Sequence, residues 1–176
     1  MILHKRGDVV YVESNIDNSD YLVQNTETKQ QSANILAKIK QNIMSLNAHL
    51  QTHKNGKYSP YKEQIERLND KINSTLFSEN DPHSSYTSYS VNKGDEIVFC
   101  LKSKKTNEYH DMNLMMYVAI HELAHVANKE YGHGESFKMI FAFLASAALE
   151  ANIYNKIDFK SYPTEYCGMD ITESII

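Results

Sequence analysis

Residues His121-Glu122-Leu123-Ala124-His125, followed by Gly132-His133-Gly134, hold the information that decides how this chain is read. Side chains four apart on an α-helix share one face, so His121 and His125 can aim ring nitrogens at a single ion. A catalytic zinc ion usually takes three protein ligands and leaves its fourth position to water, so a third ligand must arrive from beyond the helix. His133 is the residue that this pattern predicts. Tyr131-Gly132-His133-Gly134 reads as a helix terminator that turns the chain back toward the ion, because glycine tolerates left-handed backbone. Glu122, one helical step from His121, is then directed at the water and not at the ion. A carboxylate there can accept a proton from a water whose pKa zinc has lowered to about 7.

The surroundings support this assignment. Val118-Ala119-Ile120 before the motif and Leu123, Ala124, Val126 and Ala127 around it are uncharged, as expected for a helix buried behind a site. The bare H-E-x-x-H pentapeptide recurs by accident, and it gains specificity from the third histidine after a glycine turn. A core helix with hydrogen-bonded histidines would account for the apolar flanks. It would not account for Glu122 and His133 together.

With these residues in hand, the chain resembles a known group. His121-Glu-Leu-Ala-His125 with His133-Gly134-Glu135-Ser136-Phe137 is similar to the HExxH…HGxxF pattern of the SprT-like and WLM metallopeptidases, minimal zincins that include the Spartan-type DNA–protein crosslink proteases. In the metzincin pattern the third histidine comes sooner, and this chain does not fit it. Tyr21-Leu22-Val23, the stretch Ser90 to Val98, and Tyr166-Cys167-Gly168-Met169 extend the likeness to WLM-type proteins of large DNA viruses. The resemblance implies an α+β fold with a small antiparallel sheet, an HExxH helix and a helical hairpin. It also implies a Zn2+ cofactor held by His121, His125 and His133, and Glu122 as the catalytic base. The implied activity is cleavage of polypeptide substrates, DNA-associated or crosslinked proteins among them. The alternative is a zincin scaffold that binds a partner with little or no turnover. A small-amide hydrolase of the deformylase kind would need a cysteine-bearing ligand segment that this chain lacks.

Length and composition suit a small enzyme. A chain of 176 residues can bury one real core and is short for two, so a single domain over 1–176 is expected. The net charge of −4, with lysines scattered along the chain, lacks the basic footprint of an autonomous DNA binder. Cys100 and Cys167 lie far apart in sequence without a C-x-x-C partner, which predicts buried free thiols in a reducing compartment. The start, Met1 to Asp8, turns charged before any signal-peptide core can form. The apolar run Met139 to Leu149 falls well short of the roughly 20 residues needed to cross a bilayer. An intracellular, cytoplasmic protein without a membrane partner is the expectation.

Periodicity supplies the organisation. Residues 8–13 and 21–23 read as strands separated by a polar turn. Ile35, Ile39, Ile43, Leu46 and Leu50 recur at helical spacing, predicting a helix from near Ser32 to just before Asn55-Gly56. Ser59 as cap, Pro60 at the first helical position, and Ile65, Leu68, Ile72 and Leu76 predict a second helix reaching Leu76. The pair forms a helical hairpin over residues 32–76. A polar loop is expected over 77–85, then strands over 86–91 and 96–101 joined by Asn92-Lys93-Gly94-Asp95. The second of these strands is the candidate edge for pairing an extended peptide. The metal helix is predicted over 112–131, capped by Asp111 or Asn113. After Gly134, Phe137, Ile140, Phe141, Leu144, Ala148 and Ala151 form an apolar face that packs behind the site and holds His133. Residues 157–176 read as irregular. Tyr166 is a candidate donor for the oxyanion, with a core tyrosine as the simpler role. His110 is a weaker candidate, and Glu135 and Glu150 are alternative third ligands.

Overall fold

A computed structural model describes residues 8–176, so most of the charged amino-terminal start lies outside the described residues. The fold is mixed α+β, with four α-helices and three small sheets among the described residues. Strand β1 (Val9–Glu13) and strand β2 (Asp20–Gln24) form an antiparallel hairpin. Helix α1 (Lys29–His53) follows, and its fully buried Leu36, Ile39, Ile43, Leu46 and Leu50 recur at alternating steps of three and four. Ile35 is only partly buried, and Leu36 takes its place on the inner face. Helix α2 (Lys62–Ile72) returns alongside, burying Ile65, Leu68 and Ile72 against the same core.

The second helix stops earlier than its periodicity predicts. Pro60 belongs to a separate 3-10 turn, Ser59–Tyr61, and α2 ends at Ile72. Leu76, expected to close that helix, instead opens strand β3 (Leu76–Glu79), which runs into the stretch expected to be loop. Strand β4 (Tyr89–Val91) and strand β5 (Glu96–Phe99) complete a three-stranded sheet of order β3-β5-β4. Its β3–β5 pair is parallel, with Leu76 opposite Glu96, and its β4–β5 pair is antiparallel, with Tyr89 opposite Val98. The sheet is therefore mixed, not antiparallel throughout. Strand β5 is central, which removes it as the peptide-pairing edge and leaves that position to β4. Its Ile97, Val98 and Phe99 are all buried, as expected of a strand paired on both sides.

Helix α3 (Met112–Ala127) is capped by Asp111, whose carboxylate accepts from the backbone N–H groups of Asn113 and Leu114. Helix α4 (Glu135–Glu150) packs beside it, with Phe137, Ile140, Phe141, Leu144 and Ala148 buried. The carboxy-terminal stretch is more ordered than its composition predicts. Strand β6 (Thr164–Tyr166) and strand β7 (Met169–Ile171) form a tight hairpin whose turn residues, Cys167 and Gly168, have φ of 50° and 85°. Two successive left-handed residues match the twist of a two-residue hairpin.

Cys100 and Cys167 form a disulfide, with Cα atoms 6.1 Å apart, and no free cysteine remains among the described residues. The expectation of two free thiols is thus corrected. Separation by 67 residues in sequence is no barrier, because the β6–β7 turn folds back onto the end of β5. Among the described residues no helix is long and apolar enough to cross a membrane.

Candidate metal centre

Helix α3 is buried nearly all round. Between Leu114 and Asn128, His121 and His125 alone are half-buried while every other residue is buried. Both imidazoles therefore face the one strip of the helix that reaches solvent. The helix leaves its axis at Asn128, whose backbone turns extended (φ −90°, ψ 128°) while its N–H still bonds to Ala124. The Asn128 side chain accepts from the Glu130 N–H and donates to Ser136, so it ties the exit loop to the start of α4. This stop falls four residues before the predicted end at 131. Gly132, at φ 87°, then reverses the chain and brings His133 over the other two rings.

The three histidines converge. One ring nitrogen from each lies within 4.8 Å of the others, and His125 Nε2 is 3.0 Å from His133 Nε2. Tetrahedral ligands at zinc–nitrogen distances of 2.0–2.1 Å would stand about 3.3 Å apart, so small ring rotations suffice to grip one ion. Phe137 is buried behind the trio. Its ring stacks on His125 (centroids 4.3 Å, 28° between planes) and meets His121 and His133 edge-on at 5.0 and 4.8 Å. Phe137 thus packs against all three imidazole rings, a packing role consistent with its predicted one.

Electrostatics favour neutral imidazoles. Burial, then the neighbouring histidines, push His121 down to about 4, and burial, His133 and Lys93 do the same to His125. A neutral imidazole keeps a lone pair on one ring nitrogen, the donor that a divalent transition metal takes. Glu122 is 4% exposed, and burial pushes its carboxyl up to about 8. Its Oε2 lies 3.9 Å from His121 Nε2, beside the trio and not within it.

One residue was missed as a participant because sequence marks it only as part of a turn. Lys93 has a left-handed backbone (φ 56°) between Asn92 and Gly94 in the β4–β5 connection. Its ammonium donates to the His125 carbonyl (3.1 Å) and to the Glu130 carbonyl, and it stands 4.4 Å from the Tyr131 ring centre. It clamps the loop that carries His133. The turn can come this close because of Gly94, where a Cβ would meet the Val126 methyls at 3.0 Å.

A cleft of about 570 Å³ opens over the trio, bounded across from it by Tyr89, Ser90 and Lys93 of β4 and its turn. Next to it, an apolar pocket of about 250 Å³ lies against His121 and Glu122, walled by Tyr117, Val118, Met169 and Ile171. Tyr166 also borders this pocket, but its hydroxyl donates to the Cys100 carbonyl (2.8 Å) and bonds Ser88. Burial raises its pKa. So committed, it holds the hairpin wall in place and has no donor to spare for an oxyanion. His110 is half-buried beside the Tyr166 ring (centres 4.9 Å apart) and accepts from the Cys167 N–H at 3.0 Å, so it does not reach the trio. Glu135 is exposed and pairs with Lys138, and Glu150 stands at the far end of α4, so neither joins the trio.

No family model matches the chain, and no solved structure matches it. Among curated proteins it is 45% identical over 171 residues to uncharacterized protein R325 of Acanthamoeba polyphaga mimivirus, covering 97% of this chain and 86% of that one. It is 35% identical over 82 residues to uncharacterized protein 136R of Invertebrate iridescent virus 6, and 33% identical over 82 residues to uncharacterized protein 042R of Invertebrate iridescent virus 3. These two alignments span about half of either partner, 46% and 47% of this chain and 44% and 50% of theirs. The chain belongs to the family of the mimivirus protein R325.

Proposed function

We propose that this chain is a zinc-dependent metallopeptidase of minimal zincin type that cleaves protein substrates. The observation that carries the proposal is the convergence of three imidazoles on one point, with a buried carboxylate from the same helix beside them at the floor of an open cleft. His121, His125 and His133 are the residues that would hold the ion. When bound, zinc polarises a scissile carbonyl and lowers the pKa of water.

The chain's own residues supply the rest. Glu122 accepts a proton from the attacking water and returns it to the leaving amine. Its burial raises its pKa, and a divalent charge nearby would restore its ionised form, so base strength and charge are tuned by the same neighbour. Strand β4 stands at the sheet edge along the cleft, where an extended peptide can pair with its free backbone groups. The apolar pocket beside Glu122 and His121 suits an apolar side chain next to the scissile bond. DNA-associated or crosslinked proteins enter as substrates through the resemblance to the SprT-like and WLM group.

The test is digestion of an unfolded protein, free and bound to DNA, by wild type, Glu122→Gln and His133→Ala, with zinc measured in each. Glu122→Gln should keep zinc and lose cleavage, while His133→Ala should lose both. Undiminished turnover by Glu122→Gln would refute the peptidase mechanism. Zinc binding without cleavage by wild type, together with reproducible capture of one partner, would favour a zincin-scaffold binding module.

A further inference from the structure

The far end of the helical hairpin brings together two histidines and a glutamate that the proposed peptidase does not use. His49 and His53 are spaced i, i+4 on the last turns of α1, the same spacing as His121 and His125 on α3. Glu150, the last residue of α4, comes in from another element. One ligand atom from each of the three lies within 4.8 Å of the others. His49 Nε2 is 3.8 Å from Glu150 Oε1, and the His49 and His53 ring centres are 4.8 Å apart.

Tyr58 is the buried neighbour of both rings. Its hydroxyl is 2.9 Å from His49 Nε2, the nitrogen that also faces Glu150, so an ion bound there would replace that hydrogen bond, and the Tyr58 ring lies edge-on to His53 (5.5 Å) and to Phe143 (5.2 Å). On the open side, the Lys57 ammonium contacts the Glu150 carboxylate, and its side chain is 47% exposed. A cation thus already rests on one of the three groups, and its half-exposed side chain has room to turn into solvent when another cation arrives. Two imidazoles with one carboxylate form a mixed N/O set that selects zinc, cobalt or nickel over magnesium or calcium.

We propose that His49, His53 and Glu150 form a second transition-metal site, which ties the end of α1 to the end of α4. At 1.5 Å per residue, Glu150 is about 20 Å along α4 from Phe137 and the first trio, so the two sites load independently. The role is structural: an ion here would join the end of α1 to the end of α4, where Glu150 is otherwise paired with Lys57 of the segment that follows α1.

The test titrates full-length apo protein with Zn2+ by calorimetry, with circular dichroism to confirm folding. Wild type should bind one equivalent more than His49→Gln/His53→Gln, and Glu150→Gln should lose the same equivalent. Lys57→Ala should tighten that site, since it removes the competing ammonium, whereas a mere ion pair would show no zinc response. A His121→Gln/His125→Gln variant should still gain thermal stability with zinc, and should stop doing so once His49 and His53 are also replaced. Equal stoichiometry in wild type and in folded His49→Gln/His53→Gln would overturn the proposal. Its failure is distinguishable from failure of the peptidase reading. If the first trio does not bind zinc, wild type still takes up one equivalent, and that equivalent disappears with His49 and His53.

Discussion

Replacing Cys100 and Cys167 with serine should destabilise the protein by an amount that the fold makes calculable. The bond closes a loop of 67 residues. Loop-closure entropy for that length gives about 4 kcal/mol of stabilisation, through restriction of the unfolded chain. With a urea dependence of roughly 2 kcal/mol per molar, the unfolding midpoint should drop by about 2 M. The assay is urea denaturation followed by circular dichroism, for wild type with and without a reducing agent and for Cys100→Ser/Cys167→Ser. The reductant should lower the wild-type midpoint to that of the variant and leave the variant unmoved. The consequence reaches the candidate site, because Tyr166 beside the bond donates to the Cys100 carbonyl, and Met169 and Ile171 beyond it wall the apolar pocket. Coincident midpoints for oxidised and reduced wild type, or two titratable thiols in the denatured protein before any reductant is added, would refute the reasoning.

Two further outcomes follow from single side chains. Lys93→Met should weaken zinc binding about tenfold, the equivalent of one charge-assisted hydrogen bond, because the loop carrying His133 loses its clamp on the His125 and Glu130 carbonyls; an unchanged affinity by calorimetric titration would show that the loop is held by Asn128 alone. Glu79 is 2% exposed and burial raises its pKa, while its Oε1 accepts the Gln24 N–H at 2.8 Å. The folded state therefore binds its proton more tightly than the unfolded state does, and stability should fall as pH rises from the ordinary carboxylate range through the raised folded value. Glu79→Gln keeps the acceptor and should flatten that decline in midpoints measured across pH; a variant with the same pH slope as wild type would exclude Glu79 as its source.

The site combines rigidity and access in a way that follows from burial. Helix α3 is packed by α1, α2 and α4, so its two histidines have fixed positions, and the third comes from a loop anchored at Asn128, Gly132 and Lys93. Phe137 touches all three rings, so the geometry of the trio is set by one buried side chain and not by three independent rotamers. Substitution of Phe137 would disturb all three imidazoles at once.

Features that depend on neighbours in sequence were legible from it. The i, i+4 histidines, the Asp111 cap, the heptad-like stripe of α1 and the apolar face of α4 all express one helix's own period, and the structure places each of them on its element. Features that depend on distant partners were not. Strand β3 is four residues long and buries Ser78 and Glu79, polar residues that read as loop until β5 pairs on one side and Gln24 supplies a donor. The end of α3 is decided by Asn128 bonding across to Ser136, and the final hairpin by left-handed Cys167 and Gly168, where a sequence reader looks for Asn-Gly. Sequence alone determined which side chains share a helix face and on what local scaffold, because side-chain chemistry and helical periodicity are local. Tertiary structure alone decided that Cys100 meets Cys167, that β4 and not β5 lies at the sheet edge, that the Tyr166 hydroxyl is already taken, and that Glu150 faces His49. Each of these is a contact between segments whose separation in the chain carries no information about their separation in space.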